Sequence, residues 1–332
     1  MTPPRFDVVG LGNAIVDLLA RADEAFLVRH DLVKGIMALI DEPRAEALYA
    51  AMGPAKEVSG GSAGNTMAGL ASLGGHGAYI GKVKDDTLGK IFRHDIRAAG
   101  VSFETAPATD GPSTARSFIL VTPDAQRTMN TYLGACLGLG PADIDEAVIA
   151  AAKVTYMEGY LWDPPLAKEA FLKAATIAHQ AGREVSLSLS DPFCVDRHRA
   201  EFRKLVEGPV DILFANENEL LSLYQVSDFD AALQQVRGDC KVAALTRSEK
   251  GSVLVSRDEV HVVDAAPVAR LVDTTGAGDL YAAGFLWGYT QGRPLYDCGR
   301  AGALAAAEVI SHFGARPETK LKDLMAQHLP PS

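Results

Sequence analysis

Cysteine is scarce in this chain: Cys136, Cys194, Cys240 and Cys298 lie far apart with no CxxC pair. That spacing argues against a disulfide framework and against a structural zinc site, and the four read as small buried apolar groups. The eight histidines are equally scattered, with no pair at helical ligand spacing, which speaks against a transition metal held by protein ligands. Basic charge is short as well. The 32 Lys and Arg stand against 42 acidic residues, a formal charge of -10, whereas a surface that tracks nucleic-acid phosphates needs clustered cations. Any anion bound here is bound locally. No stretch reaches the roughly eighteen uninterrupted apolar residues of a membrane span. The opening MTPPRFDVVGLG lacks a charged-then-apolar signal region, so the expected location is the cytoplasm, away from membranes. Internal repeats, heptads and low-complexity segments are also missing. What remains, 48% hydrophobic and 22% charged residues, is ordinary globular usage and describes a chain that folds on its own.

Short β-rich runs alternate with helical patterns through most of the 332 residues. FDVVGLG, GAYIGKV, KVTYMEGY, EVSLSLSD, VDILFAN and KVAALTR are the clearest strands, and strands alternating with helices imply a mostly parallel sheet covered on both faces. The helices carry apolar stripes: in DDTLGKIFRHDIRAAG, Leu88, Ile91, Phe92 and Ile96 recur at three and four residues, with Gly100 as a stop. Two segments break the rhythm, residues 15–42 and 103–133, which read as strand and turn, the second as a hairpin around Pro123 and Asp124. They are expected to form a small β lid on a large α/β domain made of residues 1–14, 43–102 and 134–332. The terminal HLPPS reads as a frayed tail.

The densest chemistry lies in LVDTTGAGDLYAAGFLWGY. A strand-like run leads into Asp273, glycines follow, and Leu280, Ala283, Gly284 and Trp287 mark a helix face that begins near Gly276. The first amides of a helix have no partner within it, and the aligned peptide dipoles add partial positive charge, so such an end attracts anions. Gly276, Ala277 and Gly278 present no bulk that would keep a phosphate from those amides. Asp279 sits beside that place. A carboxylate next to an anion site is unfavourable unless it has a task, and abstraction of a proton from an attacking hydroxyl is such a task; a simple first-turn acid is the plainer alternative. Asp273 reads as a residue that caps or orients the loop. Two other nucleotide-binding readings fail on their motifs. GLG after the first strand has Ile15 where a dinucleotide fingerprint needs its third glycine, and no GxxxxGK[ST] occurs.

DTTGAGD followed by AAGF resembles the second signature of the ribokinase-like (PfkB) carbohydrate and nucleoside kinases, and GGSAGNTMAGLASLGG from Gly60 to Gly75 resembles the first. NENEL at Asn216–Leu220 is similar to the family's Asn-x-x-Glu element, and TRSEKGS at Thr246–Ser252 to its nucleotide-binding strand and turn. The pieces stand in family order over nearly the whole chain. The resemblance implies a three-layer α/β/α ribokinase-like fold with a central, mostly parallel sheet and a small β lid. It implies a phosphotransferase that uses ATP and Mg²⁺, with a monovalent cation such as K⁺ left open. Asp279 matches the catalytic base, and the amides of Gly276, Ala277 and Gly278 match the anion hole. Asn216, Thr246, Gly251, Thr275 and Gly278 match nucleotide contacts, and Glu219 matches a residue that organises Mg²⁺ through water. NENEL taken alone reads as an ordinary helix start.

For the acceptor, the resemblance assigns Asn13, Asp17, Gly60, Gly61 and Asn65 to the sugar. A carboxylate suits a ribose diol because both of its oxygens accept hydrogen bonds. A finer similarity to the family's adenosine kinases is carried by GLGNAIVDLLARADEAFL, SLSDPF and VDILFANENEL. It implies phosphorylation of adenosine to AMP in purine salvage, and a base seated among Met129, Leu133, Tyr160, Leu161 and Phe193. EGYLW and GGSAGN depart from the aromatic ring and the GGSTQN of the eukaryotic members, which bears on the base more than on the ribose. Arg127, in the lid, matches an arginine that reaches phosphate on closure. A sugar kinase for ribose, fructose or a 2-keto-3-deoxy sugar acid is the alternative within the enzymes, and a non-catalytic nucleoside sensor the alternative outside them. Assembly is left open between a monomer and a homodimer joined through the lid.

Overall fold

A computed structural model describes residues 3–124 and 126–330. Fourteen strands occur in it: β1 (Phe6–Leu11), β2 (Ile15–Arg21), β3 (Met37–Leu39), β4 (Lys56–Ser59), β5 (Gly77–Ile80), β6 (Ser102–Phe103), β7 (Ala115–Val121), β8 (Arg127–Tyr132), β9 (Ala152–Glu158), β10 (Glu184–Ser188), β11 (Ile212–Asn216), β12 (Val242–Thr246), β13 (Ser252–Ser256) and β14 (Val260–Val263). Nine of them make the main sheet in the order β14, β13, β12, β11, β10, β9, β1, β5, β6. Pairing is parallel from β6 to β12 and antiparallel only where β13 and β14 fold back.

Neighbouring residues on each parallel strand face opposite layers, which is why both must be apolar. Val8, Tyr156, Phe214 and Ala244 pack under helices Ser62–Ser72, Ala277–Thr290 and Leu295–Val309. Val9, Met157, Leu213 and Leu245 pack under helices Pro165–Gln180, Pro192–Val206 and Phe229–Asp239. The result is the α/β/α sandwich that the alternating pattern implies. The helix read from the Leu88 stripe spans Thr87–Ala98, buries Phe92 and Ile96, and is followed by Gly100 at φ +93. Among the described residues, no helix is long and apolar enough to cross a membrane.

The other five strands form a second sheet in the order β3, β8, β7, β2, β4. One face joins the core through Val16, Leu18 and Phe118, against Ala45 and Leu48 of helix Glu42–Ala51. On the opposite face Asp17, Ser117 and Thr131 lie in register across three strands, and the two hydroxyls are 2.9 Å apart. The hairpin at Pro123 and Asp124 is present, closed by Thr122 N–H donating to the Gln126 carbonyl at 3.0 Å.

The structure differs from the sequence reading at four points, three of them in the segments expected to form the small sheet or at its edge. Lys56–Ser59 lies outside the expected lid segments yet forms its edge strand, antiparallel to β2. Four residues with two charged side chains give no alternation to read; the strand exists because β2 offers it backbone partners. Ser102 and Phe103 belong to the main sheet, beside β5. Residues 15–42 include a helix, Glu24–Arg29, capped by the Asp23 carboxylate accepting from Phe26 N–H at 2.7 Å. The tail is docked through Pro330. Leu329 is buried in the core and the Pro330 carbonyl accepts from Arg293 at 3.0 Å, while Pro331 and Ser332 lie outside the described residues.

Helices Ala277–Thr290 and Leu295–Val309 approach at their backbones, since a Cβ on Gly284 would fall 2.4 Å from the Ala301 carbonyl oxygen. Gly284→Val is expected to lower the unfolding free energy by about 1–3 kcal/mol, read as a reduced urea midpoint, because overpacking at a backbone contact has no flexible neighbour to move aside.

Candidate active site

The glycine-rich turn and the helix start after it sit where the sequence puts them. Helix Ala277–Thr290 starts after Gly276, whose φ is 79 and which has no side chain to cap the helix. Glycine is needed here twice over, for the left-handed φ and because a Cβ would meet Ala315 at 2.8 Å. Gly278 is different: a Cβ there would have no protein atom within 4 Å. Its missing side chain is no demand of packing. The turn opens into a cavity of about 840 Å³ whose lining includes Gly276, Ala277, Gly278 and Asp279, together with Asn216, Glu219, Thr246 and Gly251, and Ala303 and Ala307. Thr275 points elsewhere: its hydroxyl accepts from Arg127.

Asp279 lies in the first turn, with Ser62 Oγ donating to Oδ1 at 2.7 Å and Asn65 Nδ2 donating to Oδ2 at 3.0 Å. Burial pushes its carboxyl above the usual range, while Ser62, Asn65 and the Arg316 charge pull it back. Asn65, which the resemblance assigns to the sugar, donates from its amide nitrogen to Asp279, and its Oδ1 is buried with no hydrogen-bond partner among the described residues. Asp17 reaches the same region from β2. Burial and the Asp279 charge raise it to about 7, against Arg316 and Arg127. The Gly-Gly pair of the first signature has a steric reason: a Cβ on Gly60 would fall 2.1 Å from Asp17 Oδ2, and one on Gly61, at φ +79, would fall 2.2 Å from the Asn13 carbonyl oxygen.

Two residues escaped the sequence reading. Glu158, at the end of β9, is buried and accepts from Asn13 N–H and Ala63 N–H, both at 2.8 Å. It caps helix Ser62–Ser72, whose own cap position is Gly61. Burial raises it to about 7, with the two amides opposing. A glutamate closing the apolar run KVTYMEGY, at the carboxyl end of a parallel strand, was the available signal. Arg316 lies in the loop after helix Leu295–Val309 and donates Nε and Nη2 to the Ser59 carbonyl at 3.1 and 2.9 Å. No motif surrounds it, so nothing in the sequence marks it.

Arg127 extends from the small sheet to the loop that precedes the glycine-rich turn. It donates to Asp273 and Thr275, with the Phe313 ring 5.1 Å from its guanidinium. Asp273 also accepts from Thr275 N–H at 3.0 Å and Gly314 N–H at 2.9 Å, so it shapes the loop. Asn216 and Glu219 form a capping box: Glu219 accepts from Asn216 Nδ2 at 2.6 Å and from its N–H at 2.8 Å. Burial raises Glu219 to about 7. Among the described residues no group of three His, Cys, Asp or Glu is placed to hold a metal.

The expected base-binding set is only partly assembled. Met129 shares a sheet face with Asp17, in register with Ile119, and half-buried Leu133 follows that strand. Tyr160 is half-buried against the core, its N–H donating to Ser190 Oγ at 3.3 Å. Leu161 is 1% exposed, turned into the core by the short helix Gly159–Trp162. Phe193 is 75% exposed at the first turn of helix Pro192–Val206, whose Pro192 start aims it outward. Neither offers a wall to a ligand in this arrangement.

Known proteins resemble the chain over its length. The model of the pfkB family carbohydrate kinases matches residues 42–321. A probable sugar kinase from Rhizobium etli is 58% identical with a TM-score of 0.92, covering 98% of each chain. Adenosine kinase from Sinorhizobium meliloti is 57% identical with a TM-score of 0.92, covering 97% of this chain and 99% of its own. Adenosine kinase from Saccharomyces cerevisiae is 27% identical over 95% of this chain and 96% of its own. With a family model matched over most of its length and these relatives beside it, the chain belongs to the pfkB family of carbohydrate kinases and is a phosphotransferase acting on an alcohol group.

Proposed function

We propose that the protein phosphorylates the 5′-hydroxyl of a ribonucleoside, adenosine, using ATP. The observation that carries this is the Asp279 carboxylate held by Ser62 and Asn65 beside an uncapped helix end that opens into a long cavity. The likeness to the 57% identical adenosine kinase favours a nucleoside as acceptor.

The cavity suits a nucleotide. About 840 Å³ is within the range of small-molecule sites, the alanines of helix Leu295–Val309 give a flat apolar wall, and the amides at Gly276–Gly278 meet negative charge. Magnesium is consistent with the same residues. It prefers phosphates and water to a protein cage, and each Glu219 oxygen keeps a lone pair for a water after accepting from Asn216. When bound, Mg²⁺ and the nucleotide supply the transferable phosphoryl group and neutralise its charge.

The chain's own residues then do three things. Asp17 accepts from the ribose hydroxyls, and the Ser117–Thr131 hydroxyl pair beside it continues the polar row. The unpartnered Asn65 Oδ1 is free to accept from the acceptor. Asp279 takes the proton of the attacking hydroxyl, fixed in orientation by its two donors. Arg127 brings the small sheet over the turn as a lid, excluding water that competes for the phosphoryl group. Incubation with ATP, Mg²⁺ and a panel of nucleosides and free sugars tests the reading: AMP and ADP from adenosine support it, and turnover of sugars alone replaces the nucleoside by a sugar.

Asp279→Asn is expected to lower kcat by roughly a hundredfold with little change in ATP affinity by calorimetry; most of the turnover surviving would remove Asp279 as base. Because burial raises that carboxyl, the wild-type kcat/KM is expected to fall as pH drops through a midpoint above the ordinary carboxylate range. Asp17→Ala should raise the acceptor KM at nearly constant kcat, and an unchanged KM for every acceptor would take Asp17 out of the site. Gly278→Val should keep the wild-type melting temperature, since its side chain meets open space, yet lose phosphoryl transfer through bulk over the amides; full activity would refute close approach of the phosphate.

A further inference from the structure

Three consecutive residues after helix Leu295–Val309 tie the donor side of the site to the acceptor side. Gly314 N–H donates to Asp273, which shapes the anion turn, at 2.9 Å. Ala315 packs on Gly276 so closely that no Cβ fits between them. Arg316 then crosses to the end of β4, where Nε and Nη2 grip the Ser59 carbonyl and Nη2 also donates to Ser59 Oγ at 3.1 Å. The guanidinium passes under the first turn of helix Ser62–Ser72, Nη2 lying 3.7 Å from where a Gly64 Cβ would be.

What Arg316 grips is the start of a decisive stretch. Ser59 is followed by Gly60, which abuts the Asp17 carboxylate, and then by Ser62 and Asn65, which hold Asp279. The partners of Arg316 are neutral. Its hydrogen bonds run to the carbonyl and hydroxyl of one serine, and among the described residues no carboxylate pairs with it directly, while Asp17, Asp279 and Asp95 act on it through their charge. A guanidinium taken from water without a touching carboxylate is unfavourable unless its field is used.

We infer that Arg316 is a positioning residue for phosphoryl transfer, fixing the Ser59–Asn65 segment to the anion turn and lying as a shared counter-charge between the acceptor-binding Asp17 and the base Asp279. The inference rests on the reading of Asp279 as base. The charged and titratable groups around it are Asp17, Asp279, Asp95 and Tyr79 facing Arg316; Arg127 facing Asp17; and Glu158 and Tyr156 near Asp279. Burial draws Arg316 down to about 10 while the two aspartates raise it, and Arg316 in turn opposes the upward push on both of them.

The test uses the full chain with ¹³C-labelled aspartate, free of nucleotide, together with the pH profile of kcat/KM for adenosine with ATP and Mg²⁺. In Arg316→Gln the carboxyl titration midpoints of Asp17 and Asp279 should both rise by about one pH unit, the acid limb of the profile should move with them, and kcat/KM at pH 7 should fall roughly tenfold. In Arg316→Lys the charge remains but the grip on Ser59 is lost, so the midpoints should stay near wild type while kcat drops severalfold. A folded Arg316→Gln protein with unmoved midpoints overturns the inference. Should that variant not fold, wild-type turnover in Arg316→Lys overturns it as well. Asp279→Asn run alongside separates the two readings: its loss of turnover with unmoved Arg316→Gln midpoints removes Arg316 alone, whereas its retention of turnover removes the base and this inference together.

Discussion

Carboxyl groups gathered where burial penalises their charge are the constraint around which this site is built. Burial alone moves Asp279, Asp17 and Glu158 upward together, and charges of one sign gathered in a small volume raise one another further. The protein answers with donors in place of water, two amides on Glu158 and a hydroxyl and an amide side chain on Asp279, and with the Arg316 charge, which opposes the upward push on Asp279 and Asp17. Each answer comes from a different part of the chain. The site therefore exists only when the strand ends, the glycine-rich helix and the C-terminal loop are all assembled, and chemistry is thereby linked to complete folding.

The glycines follow from the same crowding. Gly60 and Gly61 let two carbonyl and carboxyl oxygens approach the backbone, and Gly276 admits Ala315 while taking a left-handed φ. In each case the side chain is missing because an identified protein atom stands in its place. At Gly278 no protein atom within 4 Å requires the absence, and the two kinds of glycine are indistinguishable in a string of letters.

This difference marks how far the sequence could be read. The parallel strands were legible because residues buried on both faces must be continuously apolar, and the glycine-rich helix start was legible because turn, glycines and acid coincide in seven letters. Lys56–Ser59 was not, since an edge strand can be held by its neighbour's backbone with no pattern of its own. Leu161 and Phe193 were assigned to a ligand from resemblance, but their direction is set by a short helix and a proline start that letters do not orient. Arg316 lies 257 positions from the serine it holds; pairings over such separations are products of topology and leave no local trace.

The edge strand β4 runs into the glycine-rich helix with only Gly60 and Gly61 between them. Its far side is stitched to β2, which carries Asp17, and its near side leads to the two donors that hold Asp279. Hinge and reaction scaffold are thus one uninterrupted piece of polypeptide. A shift of the small sheet would therefore be felt at Asp279 through continuous backbone, with no other element needed to carry it.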